Sequence, residues 1–116
     1  MLHEIESKLK AVNDLVFYGS ADPVDNAALW NYIVFWRDKT TRSANATAFT
    51  DYYGVGIVHE NWVPQETIEA VIAQMESLPG MKLANADIDF EYTRKPSTNA
   101  VVEVATLSFA HSRKRV

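Results

Sequence analysis

The chain has 116 residues and a mass of 13.1 kDa, room for one domain whose core needs no disulfide staple. Its 47% hydrophobic and 22% charged content is that of a globular domain, and its apolar runs fall far short of the roughly 20 residues that cross a bilayer. The absence of cysteine excludes disulfides, thiolate catalysis and cysteine metal sites, and 11 basic against 15 acidic residues, net −4, lack the concentrated positive face of a dedicated nucleic-acid binder.

Leu2, Ile5, Leu9, Val12 and Val16 recur at helical spacing and predict a first helix over about residues 2–15. Glu4 with Lys8 and Glu6 with Lys10 support it from the polar face. The segment Met1 to Lys10 has no basic start, continuous apolar run or small-residue cleavage site, so it does not read as a signal peptide, and a cytosolic origin is the default expectation. Val16-Phe17-Tyr18-Gly19 reads as a short strand stopped by glycine, and Ser20 to Ala28 as a loop with Asp-Pro and Asp-Asn turn chemistry.

Trp30 to Arg37 is a strand with two apolar faces, Tyr32, Val34 and Trp36 on one and Ile33 and Phe35 on the other. Such a strand is either central in a sandwiched sheet or covered on one side by a partner chain. Thr40 to Thr50 is small, polar and aperiodic, and reads as a long mobile hairpin loop. Tyr52 to His59 is the next strand, with Gly54 and Gly56 thinning one face where another element can approach.

Pro64 opens a second helix over about 64–78, striped by Ile68, Val71, Ile72, Met75 and Leu78 and stopped by Pro79-Gly80. Ile88, Phe90 and Tyr92 alternate with Asp89, Glu91 and Thr93, the pattern of a half-buried strand with a solvated acidic face. A turn at Lys95–Asn99 leads to a last strand over Val101–Phe109 and a basic, fraying tail from His111 to Arg115. The predicted class is α+β: an antiparallel sheet of about four to five strands with two helices packed on one face, in the order α-β-β-β-α-β-β.

No catalytic or metal constellation emerges. His59-Glu60 and His3-Glu4 lack the second histidine of a zinc helix, because Val63 and Ser7 stand there. Gly54-Val55-Gly56 lies inside a strand and meets His59 where a dinucleotide fingerprint needs glycine. Asp87, Asp89 and Glu91 fail as a calcium loop at Tyr92. No nucleophile elbow or phosphate loop is present. The surplus is aromatic instead: Trp30, Tyr32, Phe35, Trp36, Tyr52, Tyr53 and Trp62 exceed what two short helices can cover, and exposed aromatic surface marks protein contacts.

The stretches Trp30-Asn31-Tyr32-Ile33-Val34-Phe35 and Tyr53-x-Val55-x-Ile57-Val58-His59-Glu60-Asn61-x-Val63-Pro64 resemble small structural proteins from the head-to-tail region of phages and prophages of Gram-positive bacteria. The element order is similar to that of the tail terminator family of long-tailed phages. That resemblance implies a non-enzymatic homo-oligomeric ring, usually of six subunits, without cofactor, metal or catalytic residue. The ring ends polymerisation of the major tail protein, meets a head connector or head-completion protein, and lets DNA pass without specific binding. It implies assembly in the host cytoplasm, residence at the head–tail junction of the virion, and no membrane partner. The expected contact loop includes Arg42, Ser43, Asn45, Thr47 and Phe49, and the expected subunit seam Ile33, Phe35, Tyr53 and Val55. Two other readings stay open. One is another neck or head-completion ring protein. The other is a small ligand-binding or enzymatic α+β domain with a pocket under the second helix, where His59 would meet Glu91 or Glu103.

Overall fold

The computed structural model describes residues 1–19, 30–42, 48–84, 87–95 and 99–114. It is an α+β structure in which two helices cover part of one face of a six-stranded sheet. The loop expected at Ser20–Ala28 lies outside the described residues.

Helix α1 (Leu2–Lys10) buries Ile5 and Leu9 completely. It is shorter than its apolar stripe because Asn13 diverts the chain. The Asn13 side-chain oxygen accepts the Leu15 amide at 2.9 Å, and its nitrogen donates to the Asn31 side chain at 2.9 Å. Strand β1 (Val16–Tyr18) follows at once and ends at Gly19, whose φ of 83° favours glycine.

Strands β2 (Asn31–Arg42) and β3 (Ala48–Glu60) form a long antiparallel ribbon. Helix α2 (Gln65–Glu76) starts behind Pro64 and turns Ile68, Val71 and Met75 inward. Pro79-Gly80 then reverses the chain, Gly80 at φ 79°, into strand β4 (Met81–Leu83). Strands β5 (Asp89–Arg94) and β6 (Val101–Lys114) complete the set. The sheet order is β1-β2-β3-β6-β4, with β5 also paired to β6.

Three features depart from expectation. The pairing of β1 with β2 is parallel, Val16 beside Ile33 and Tyr18 beside Phe35, so the sheet is mixed. The twelve residues between these strands are enough chain for the crossover a parallel pair needs. β4 is an added strand of three residues. The basic tail does not fray through Lys114, because His111–Lys114 pair with Asp51–Ala48 and His111 also pairs with Met81. A strand with neighbours on both sides is held.

The core lies between the helices and one sheet face. Ile5, Leu9, Ile68, Val71, Met75 and Leu78 pack against Ile33, Phe35, Tyr53, Val55, Ile57, Ala105, Leu107 and Phe109. Cross-strand register carries that face along the sheet through Ile33–Ile57–Ala105 and Phe35–Val55–Leu107. The opposite face carries Phe17, Tyr32, Val34 and Trp36, all half-buried. Phe17 and Tyr32 meet edge to face, with ring centroids 5.6 Å apart. The element that fills the thin place at Gly54 and Gly56 is Trp36, whose indole lies across both glycines.

A methyl group at Gly54 would enter that indole. Gly54→Ala is therefore expected to displace Trp36 and lower stability by about 1–3 kcal/mol in thermal melts. Combined with Trp36→Val, it should cost less than the sum of the two single changes.

Candidate interaction surfaces

Beyond the helices the sheet continues as a three-stranded blade made of Arg37–Arg42, Ala48–Tyr52 and Ala110–Lys114, and the whole molecule measures 53 × 25 × 23 Å. Among the described residues of this blade no apolar side chain is fully buried, and polar pairs stiffen it. Asp51 sits between Thr40 on β2 and His111 on β6. Its carboxylate accepts Arg113 Nε at 2.6 Å and Thr40 Oγ1 at 2.7 Å. The Arg113 guanidinium also stacks 4.7 Å from the centroid of Phe49. On the other face Lys39 Nζ lies 5.0 Å from the centroid of Tyr52. His111 Nε2 donates to the Pro79 carbonyl at 3.1 Å, tying the blade to the turn before β4.

A bulge between Arg37 and Lys39 shifts the register of β2 against β3. It opens a hollow of about 150 Å³ lined by Arg37, Asp38, Lys39, Thr40, Asp51, Tyr52 and Tyr53. The Arg113 hydrogen bond outweighs the upward push of burial and, with a lesser contribution from Thr40, holds the Asp51 carboxyl below the usual carboxylate range.

The blade revises the expected loop. Thr40–Arg42 and Ala48–Thr50 are strand, with Arg42 exposed and opposite Phe49. Ser43, Asn45 and Thr47 lie outside the described residues. The expected seam is corrected outright. Ile33 and Val55 are fully buried, and Phe35 and Tyr53 nearly so, in the chain's own core beneath α1 and α2. Burial raises the Tyr53 phenol above its ordinary value. These four side chains have no surface left to share.

The half-buried, acidic-faced strand expected around residue 90 is also revised, since every residue of β5 is exposed. The helices stop short of this edge and leave Phe90 44% and Tyr92 65% exposed, near Trp62 at 68%. Glu103, only 8% exposed, organises the region. Its Oε1 accepts the Val63 amide at 2.8 Å, and it also takes the Tyr92 hydroxyl, which raises the Tyr92 phenol above its usual value. His59 pairs across the sheet with Glu103 but points Nδ1–H at the Glu60 carbonyl, 2.7 Å away. Glu91 stands opposite Val104 on the other face, so His59 and Glu91 do not converge. His59 instead joins Lys10, Asn13, Asp14, Asn31 and Thr67 around a polar, open cleft of about 360 Å³.

The sequence reading missed Asp51 and Arg113, which lie 62 residues apart, and no local pattern joins them. Among the described residues, no helix is long and apolar enough to cross a membrane. No family model and no curated protein matches this sequence. One solved structure, whose name describes no function, is similar over 98% of this chain and 89% of its own, at 13% identity and a TM-score of 0.46.

Because its carboxyl is held down, Asp51 stabilises the fold above the unfolded-chain value of about 3.9, and that contribution fades as pH falls through the lower folded value. The pair is partly exposed, so Asp51→Asn is expected to cost only about 0.5–1 kcal/mol at neutral pH. In urea melts the gap from wild type should close below about pH 4. Glu103→Ala leaves the Val63 amide without its acceptor and is expected to cost about 1–3 kcal/mol, with Glu103→Gln recovering part of the loss.

Proposed function

We propose that this chain is a structural protein of a phage virion, forming a ring at the head-proximal end of the tail tube. The ring ends polymerisation of the major tail protein, offers its other surface to the head connector, and leaves a lumen for DNA. The observation that carries this reading is the blade: three paired strands, stiffened by the Asp51–Arg113 ion pair and the Thr40 hydrogen bond, that extend past the core. A projecting blade of this kind serves as a reach toward a neighbour or along a tube. The resemblance in sequence around Trp30–Phe35 and Tyr53–Pro64 supplies the class of particle.

Other features support it. A closed ring of identical chains needs two different surfaces per subunit, and this sheet has two different edges. The aromatic face around Phe17, Tyr32 and Trp36 adds apolar area that neither helix covers. The net charge of −4 suits a channel through which DNA slides without sticking.

Light scattering of the purified protein, alone and with purified tail tubes, tests the reading. A ring of six 13.1 kDa chains has a mass of about 79 kDa. Phe49→Ala combined with Arg113→Ala should leave the fold intact but yield tails of uncontrolled length. A chain that stays monomeric at high concentration and on tube tips contradicts the proposal.

A further inference from the structure

We propose that the β5 edge of one protomer pairs with the outer β2 edge of a second copy of this chain, so that the sheet continues across the subunit boundary. The proposal rests on the ring reading and gives that ring its seam.

Each edge is free among the described residues. β6 is flanked by β3 on one side and by β4 and β5 end to end on the other, which leaves the far side of β5 without a strand. On the opposite margin β1 pairs with only Ile33–Phe35, so the outer side of β2 from Trp36 to Arg42 is bare. Open edges of this length carry rows of unpaired backbone donors and acceptors, and they template pairing with another chain.

The side chains select the partner. Asp87, Asp89 and Glu91 lead into and along the first half of β5, and the strand's one basic residue, Arg94, stands at its far end. The bare part of β2 holds Arg37, Lys39 and Arg42 against the single acid Asp38. Register places these charges compatibly. Asp89 and Glu91 stand on the face away from the helices, opposite Thr106 and Val104, and Lys39 stands on that same face, opposite Tyr52. Phe90 and Tyr92 stand on the helix face, opposite Ala105 and Glu103, and Arg37 and Arg42 share it, opposite Tyr53 and Phe49. Joining the edges would set carboxylates beside Lys39 and aromatic rings beside guanidinium groups, the arrangement favoured at desolvated interfaces.

Part of the β5 surface is already fixed in place. Glu103 holds the Tyr92 hydroxyl as well as the amide of Val63, so the Tyr92 ring is presented outward at reduced entropic cost. The two edges lie on opposite margins of one sheet. Every copy therefore offers one of each, and the contact is head to tail, as a closed ring requires.

The test uses full-length chains with charge reversals at exposed positions, their folding checked by circular dichroism. Asp89→Lys with Glu91→Lys, and separately Arg37→Glu with Lys39→Glu, should each raise the concentration needed for assembly at least tenfold. Mixing the two variants should restore assembly, since each then presents the edge the other lacks. Because the chain has no cysteine, Lys39→Cys combined with Glu91→Cys should give a disulfide-linked ladder on oxidation. If wild type assembles and the reversals assemble equally well without a ladder, the seam is overturned while the ring stands. If wild type never assembles, both fall.

Discussion

The structure depends on the register of β3 with β6, an unbroken antiparallel ladder from Ala48–Lys114 to Glu60–Val102. At one end, Tyr53, Val55 and Ile57 meet Phe109, Leu107 and Ala105 to make the floor on which both helices rest. At the other end the same two strands carry Asp51, Phe49 and Arg113 beyond the reach of any helix. Core and blade are therefore one mechanical unit. A one-residue slip would turn the apolar floor outward and separate Asp51 from Arg113 together.

Two short helices cannot cover a sheet whose central strands run thirteen and fourteen residues, and that mismatch produces every candidate contact surface. The helices protect the central rows and stop short of β5, which leaves Phe90 and Tyr92 out. They also stop short of the blade, which is held by one carboxylate with an arginine and a threonine rather than by burial. On the far face Trp36 lies over two glycines, so the sheet itself provides a shallow seat for one of its own large side chains. The proposed assembly would draw on the same uneven cover that folding leaves.

The periodic parts of this architecture were legible in the sequence. The stripes Ile5–Leu9 and Ile68–Val71–Met75 mark both helices because helical spacing is local information. The alternation Ile33–Phe35 against Tyr32–Val34–Trp36 correctly separated two faces of β2, although it could not say which face the helices would take. They took the Ile33 face, which removed the expected seam. The limits of β2, β3 and β6 were not legible, because Thr40–Arg42 and His111–Arg113 are polar, Ala48–Thr50 is too short to show a period, and all three become strand only by pairing with one another. Strand β4, with three residues, was too short for any periodicity to register. The exposure of Phe90 and Tyr92 was hidden for a related reason. Alternation reports that a face is apolar, not whether another element arrives to cover it.

We propose that a neighbour completes this sheet along its two edges. Hydrogen–deuterium exchange across a concentration series addresses it most directly. As copies associate, the amides of Asp89–Arg94 and of Trp36–Arg42 should gain protection together, while those of the central strands β3 and β6, already paired on both sides, change little. Association that protects other strands and leaves both margins exchanging at their dilute-solution rates would contradict the account.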